Sequence, residues 1–255
     1  MPQKNRKESS TGVYHVIVKG IAHERIFYQT REKNKFIKII LKYSEKYEVK
    51  IYAYCIMSNH AHLMIWAEIS VLSLFMARIL AEYAYYYNYK HNRNGHVFQN
   101  RFTSECIETE IYLWNCLRYI HMNPVKAGIV SDPLSYRFSS IGDFFSDKEA
   151  LIHQEIKKMV KIRYECREQF YEFHKRRKKE VFKDIAEEME RQRFEIAGLI
   201  AEEMVRKFGV DYPIQIFEEK DYREEYIRNI QQTLKVSKRK STLLYEKMRN
   251  HKKNN

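Results

Sequence analysis

Residues 49–66 read VKIYAYCIMSNHAHLMIW, and this stretch decides the architecture of the first half of the chain. Residues 49–57 and 61–66 are rich in β-branched and aromatic side chains, with Ser58-Asn59 between them as a turn. Two adjacent strands joined by a tight connection follow. Upstream, residues 31–47 put Phe36, Ile39, Ile40 and Tyr43 at helical spacing. Before that, Val13, His15, Ile17 and Lys19 interleave with Tyr14, Val16 and Val18, a strand covered partly on both faces. Downstream, residues 70–90 form a helix through Leu72, Phe75, Met76, Ile79, Leu80, Tyr83 and Tyr87, broken by Asn92, Asn94 and Gly95. A short strand over 103–108 and a helix over 109–122, stopped by Pro124, complete the pattern. The order is strand, helix, strand, strand, helix, strand, then a further helix. That predicts an α+β fold: a ferredoxin-like (RRM-like) antiparallel sheet sandwich with an added helix. One sheet face is covered by helices; the other is expected to be open, a face that commonly meets nucleic acid.

Composition narrows the partner. The chain has 255 residues, with 46 Lys and Arg against 33 Asp and Glu, a formal charge of +13. Such an excess suits a polyanion, most often nucleic acid. Cys55, Cys106, Cys116 and Cys166 form no CxxC pair, which argues against a zinc knuckle or a disulfide framework. A reducing, cytoplasmic home is expected. No apolar run approaches the roughly 20 residues of a membrane span, and residues 1–8 lack the apolar core of a secretion signal.

The charge density rises along the chain. Residues 1–145 carry 31 charged side chains and residues 146–255 carry 48, with few Gly or Pro breakers in the second part. A boundary near Phe145 separates a first domain, 1–145, from a charged helical region, 146–255. In the latter, Phe182, Ile185, Met189 and Phe194 mark one apolar helix face. Residues 221–249 suggest two helices around Val236-Ser237, with Ser237 as an N-cap. The second, KRKSTLLYEKMR, is basic and reads either as the recognition helix of a helix-turn-helix or as an ordinary helical cap.

Several residues carry possible chemistry. In His60-Ala61-His62, strand periodicity points both imidazoles to one face, where they can hold a divalent cation; the plain alternative is a pair of surface histidines. On the 109–122 helix, Leu113, Leu117 and Ile120 form the apolar stripe. Tyr119 lies off that stripe, so its ring is expected to contribute little to the core. Asn123 is one turn beyond Tyr119 and can share its face, although Pro124 disfavours helical geometry at Asn123. Arg101 and Lys126 flank this region in sequence, and Lys4, Arg6 and Lys7 form a basic arm. Each suits DNA phosphate contact or simple solvation. Arg118 suits either a phosphate or an acidic neighbour. Glu105 and Glu108 read as strand solubility in preference to site carboxylates.

These residues carry a family resemblance. Met57-Ser58-Asn59-His60-Ala61-His62-Leu63 resembles the HUH motif of single-tyrosine transposases. The run 117–128, LRYIHMNPVKAG, resembles their catalytic-tyrosine segment. Residues 98–102 (FQNRF) and 136–140 (YRFSS) resemble the REP-associated branch. The resemblance spans about residues 11–145. It implies a metal-dependent nickase and joinase of single-stranded DNA, at a hairpin, through a 5′-phosphotyrosine. His60 and His62 then match the metal ligands and Tyr119 the nucleophile. Asn123 falls at a third polar ligand where relatives often have Gln. The implied cofactor is Mg²⁺ or Mn²⁺; two imidazoles favour softer ions than magnesium, so manganese satisfies both readings. One tyrosine makes one covalent link at a time, so two strand ends need either two subunits, as in a homodimer, or alternating steps. The rival readings are a nucleic-acid-binding protein that retains the fold without catalysis, and a metal-dependent hydrolase built on His60 and His62.

Overall fold

The computed structural model describes residues 6–146, 151–175, 186–210 and 214–253. They divide into two compact units, 1–176 and 177–255.

The first unit holds strands β1 (Val13–Lys19), β2 (Lys50–Ile56), β3 (His60–Trp66) and β4 (Thr103–Cys106). Its helices are α1 (Thr30–Tyr47), α2 (Ile69–Lys90), α3 (Glu110–Lys126), α4 (Gln154–Arg163) and α5 (Arg167–Lys175). The sheet order is β2-β3-β1-β4 and the paired strands run antiparallel. This is the ferredoxin-like arrangement the strand-and-helix order predicts. Ile17 lies opposite His62, and His62 opposite Cys55. The register therefore puts His15, Ile17, His60, His62 and Cys55 on one face and Tyr14, Val16, Val18, Leu63 and Ile65 on the other.

Helices α1 and α2 cover the second face. Phe36, Ile39, Ile40, Leu72, Phe75, Met76 and Ile79 are all buried, and Phe27 packs between Phe36 and Tyr83. The first face is not the open face expected of the ferredoxin-like arrangement. Helix α3 lies across β2 and β3 on the histidine side. Ten of its residues are buried, so it is packed nearly all round and not along one stripe.

The YRFSS segment closes the outer edge of β2. Ile56 N–H donates to the Phe138 carbonyl at 2.9 Å, and Cys55 pairs with Ser139. Lys33 of α1 holds this edge. Its ammonium donates to the Tyr136 hydroxyl at 2.8 Å, which donates to the Ile56 carbonyl at 2.8 Å. An occupied edge presents no unpaired backbone for aggregation.

Helices α4 and α5 belong to the first unit, burying Ile156, Val160 and Phe170. The rise in charge near Phe145 and the division at 176 do not coincide. Charge density reports the surface of these helices, whereas the division follows their buried side.

The second unit contains α6 (Ala186–Phe208), α7 (Gln215–Glu218), α8 (Lys220–Leu234) and α9 (Lys238–Lys253). Its core gathers Ile196, Ala197, Ile200, Met204, Phe217, Tyr226, Ile230, Leu244, Tyr245 and Met248. The two buried tyrosines keep their hydroxyls satisfied: Tyr226 donates to the Ala197 carbonyl at 2.8 Å and Tyr245 to the Phe217 carbonyl at 3.0 Å. Left-handed Lys235 ends α8, and Ser237 Oγ accepts from Lys240 N–H at 3.4 Å where α9 begins. Of the apolar face read in the sequence, Phe194 packs on this core, while Phe182 and Ile185 lie outside the described residues. Among the described residues, no helix is long and apolar enough to cross a membrane, and all four cysteines are free thiols.

A histidine and tyrosine centre as candidate active site

Strand β3 places the His60 and His62 rings 4.9 Å apart, nearly perpendicular, and both are buried. Neighbouring groups orient each one. His60 Nδ1 lies 2.7 Å from Asn59 Oδ1, an acceptor, so Nδ1 carries the proton and Nε2 the lone pair. His62 Nδ1 lies 3.0 Å from His15 Nε2 across the β1–β3 pair. With Nδ1–H of His62 donating, its Nε2 also keeps a lone pair. Burial pulls the His62 pKa well below its ordinary value, and His60, His15 and Lys126 add to the shift. His62 is therefore a neutral imidazole at neutral pH, the form that binds metals.

Helix α3 brings Tyr119 to the same place. Its ring centroid is 5.8 Å from that of His62 and 6.0 Å from that of His15, edge-on to both. Tyr119 is only 2% exposed, against the expectation of little core burial. The stripe of Leu113, Leu117 and Ile120 is one buried side of α3, and the histidine face of the sheet supplies a second. The ammonium of Lys126, about two turns along, lies 4.8 Å from the Tyr119 ring centroid.

Pro124 does not stop α3, which continues to Lys126. Proline lacks the N–H that would bond the Ile120 carbonyl. The Asn123 side chain lies over that gap: Nδ2 donates to the Tyr119 carbonyl at 3.0 Å and approaches the Ile120 carbonyl at 3.5 Å. Asn123 is thus buried one turn from Tyr119 with its amide nitrogen committed to its own helix. Its carbonyl oxygen is the atom with metal-ligand chemistry.

The remaining basic candidates lie elsewhere. Arg6 stacks over the Phe102 ring at 3.7 Å and, with Arg101, lines a cavity beside α2. Lys7 is exposed, 3.9 Å from Glu108. Lys4 lies outside the described residues. Glu108 is a structural acceptor, taking Ser10 N–H at 3.0 Å and Ser10 Oγ–H at 2.6 Å.

Two sets of residues escaped the sequence reading. His15 looked like one position of a strand; only the β1–β3 register sets it against His62. The second set lies behind α3. His121 Nδ1 is 2.9 Å from His174 Nε2 of α5, His121 Nε2 is 2.9 Å from Ser140 Oγ, and His174 Nδ1 donates to the Phe170 carbonyl at 2.7 Å. Nothing local marks His174 as a partner 53 residues from His121.

This pair has a pH consequence. Burial is the main cause pulling His121 well below its ordinary value and His174 down to about 4. The unfolded chain protonates first, so stability is intact above the unfolded pKa of 6.5 and falls as pH drops from there towards 4. Chemical denaturation of His174→Gln is expected to show a shallower loss between pH 6.5 and 5 than the parent. An unchanged slope would remove His174 from this account.

Among the described residues, no group of three or more His, Cys, Asp or Glu side chains is arranged to hold a metal. A cation here would rest on two imidazoles, completed by oxygen donors. The donor set fits: two oriented imidazoles and an amide oxygen suit a borderline divalent ion.

The first unit thus combines a ferredoxin-like sheet, an HxH pair on β3 and a tyrosine on the covering helix α3. Residues 8–123 are similar to the family model Y1_Tnp, described as Transposase IS200 like. The chain is also similar to a solved structure described as "Structure of the REP associates tyrosine transposase bound to a REP hairpin". That similarity is 18% identity over 60% of this chain and 91% of the other, with a TM-score of 0.49. No curated protein matches the chain.

Proposed function

We propose that the first unit nicks and rejoins single-stranded DNA, next to a hairpin, with Tyr119 as nucleophile. The observation that carries this reading is the approach of Tyr119 to the buried His15 and His62 and to the half-buried Lys126. In the forward step the Tyr119 oxygen attacks phosphorus, the P–O3′ bond breaks, the phenol gives up its proton and the departing 3′-oxygen gains one. The product is a 5′-phosphotyrosine ester and a free 3′-hydroxyl. The ester is itself a phosphodiester, so a 3′-hydroxyl can attack it and restore the strand without ATP.

A free tyrosine has a pKa near 10, so roughly one in 10³ is phenolate at pH 7. The Lys126 ammonium, 4.8 Å from the Tyr119 ring centroid, balances charge on the phosphate. His60 and His62 through Nε2, with the Asn123 carbonyl oxygen, are the residues that would hold Mg²⁺ or Mn²⁺; when bound, it supplies charge neutralisation at the scissile phosphate. His15 orients His62. Arg101, Arg6, Lys7 and Lys4 are proposed phosphate contacts. A homodimer would supply two tyrosines for two strand ends. The basic α9 is proposed as a second DNA contact.

Incubation with pooled hairpin oligonucleotides and manganese, followed by denaturing electrophoresis, tests the reading: a covalent protein–DNA adduct is expected. Cleavage without adduct would favour a hydrolase, and binding without cleavage a binding protein. His60→Ala is expected to lose cleavage and keep most DNA affinity, because phosphate contacts dominate affinity. His15→Ala, which removes the group orienting His62 together with a ring packed edge-on to Tyr119, is expected to weaken metal binding by about 10- to 100-fold. Calorimetric titration with Mn²⁺ measures that directly, and unchanged affinity would exclude the orienting role.

A further inference from the structure

A cavity of about 510 Å³ lies between α2 and residues 95–102. Its floor is Ser73, Ala77, Leu80 and Ala84, spaced to fall along one side of α2. Small side chains there leave the groove unfilled. Phe98 and Phe102 wall it, and Arg6 and Arg101 line it as the basic groups.

The cavity arises from an interruption in the sheet edge. β4 pairs with β1 as far as Thr103 opposite Ile17. Pairing resumes where Gln99 N–H donates to the Lys19 carbonyl at 2.9 Å and Phe98 bridges Gly20. Residues 100–102 stand off the ladder between these points, which carries Arg101 and Phe102 to the cavity. Lys19 is also the partner of His60. The cavity is therefore at the same end of the sheet as the HxH pair.

We propose that this cavity holds one unpaired nucleotide of the DNA strand, with its base on the α2 floor and its phosphate at Arg6 and Arg101. The inference rests on the strand-transfer reading. The chemistry is complementary on both counts. The volume falls within the range of small-ligand sites, and apolar walls with aromatic rings suit a planar base. Burial and the charge of Arg101 both lower the pKa of the Arg6 guanidinium. Two like charges that repel each other are relieved by an anion between them, and guanidinium groups match phosphate geometry. The cavity lies at the sheet end that carries the HxH pair, on the α2 side, and this shared end favours a nucleotide within a strand over a free one.

Ligand-observed NMR on the full chain tests this, with the four deoxynucleoside 5′-monophosphates, the matching nucleosides and inorganic phosphate as probes. At least one monophosphate is expected to bind more than about 10-fold tighter than either its nucleoside or phosphate, since the two parts bind as one. Single-stranded 12-mers are expected to displace it. Ala77→Trp, which fills the cavity, and Arg101→Glu, which reverses its charge, are each expected to abolish the signal; Ala84→Phe is the second filler if Ala77→Trp does not fold. Equal binding of phosphate alone, or retained binding in both folded filler variants, overturns the site. Binding of monophosphate that DNA cannot displace makes it a free-nucleotide site and overturns the proposal. Adduct formation by the parent is scored separately: an adduct without nucleotide binding sinks this inference alone, and nucleotide binding without an adduct sinks the strand-transfer reading alone.

Discussion

Tyr119→Phe is expected to fold, to bind hairpin DNA as the parent does, and to form no covalent adduct. The ring sits edge-on to His15 and His62 and is almost wholly buried, so most of its contribution to stability is packing that phenylalanine reproduces. Removing the hydroxyl costs on the order of 1 kcal/mol of hydrogen bonding, a few degrees in Tm for a unit of this size. Catalysis responds differently. No other atom at this position can form the phosphate ester, so strand transfer is expected to fall on the order of 10³-fold or more. Tyr112→Phe on the same helix is the control and keeps activity. An adduct formed by Tyr119→Phe would assign the nucleophile to another tyrosine. Tyr119→Ala answers less, because it also opens a cavity worth roughly 3–5 kcal/mol.

Truncation is expected to divide sharply between two nearby end points. A chain ending at 176 keeps α4 and α5; a chain ending at 149 loses both. Phe170 packs on Phe144, Phe145 and His121, and Ile156 and Val160 are fully buried. Each large apolar side chain withdrawn from a core costs about 2–5 kcal/mol. His121 would also lose His174, leaving a buried nitrogen short of a partner at about 1–3 kcal/mol. Together these losses reach the whole stability of a typical domain, roughly 5–15 kcal/mol. Residues 1–176 should unfold cooperatively by circular dichroism, and residues 1–149 should not. A folded 1–149 chain would show that α4 and α5 are ornaments on a core that stands without them.

Much of the fold was legible because it is periodic. The stretch 49–66 announces two strands and a turn. The helices over 31–47 and 70–90 carry apolar residues at helical spacing, and the observed elements fall within a few residues of these bounds. The HxH pair needs only strand alternation to put two imidazoles on one side. The failures came where that local logic was applied to α3. Pro124 signals a stop when read alone, yet the helix runs through it, with Asn123 turned back over the carbonyl that proline leaves. Tyr119 reads as lying off the stripe because a helical wheel assumes one buried side.

What the sequence determined by itself was the order of elements, the alternation that aligns His60 with His62, and the basic excess that suits DNA. Those depend on neighbours within a few residues, whose geometry the backbone period dictates. What only the tertiary structure decided was which groups meet. His15 reaches His62 because β1 and β3 pair in one register, 47 residues apart. Tyr119 is buried because α3 lies on the histidine face. His174 supports α3 from α5. Such contacts are set by how layers pack, and packing couples positions whose separation in the chain carries no periodic signal.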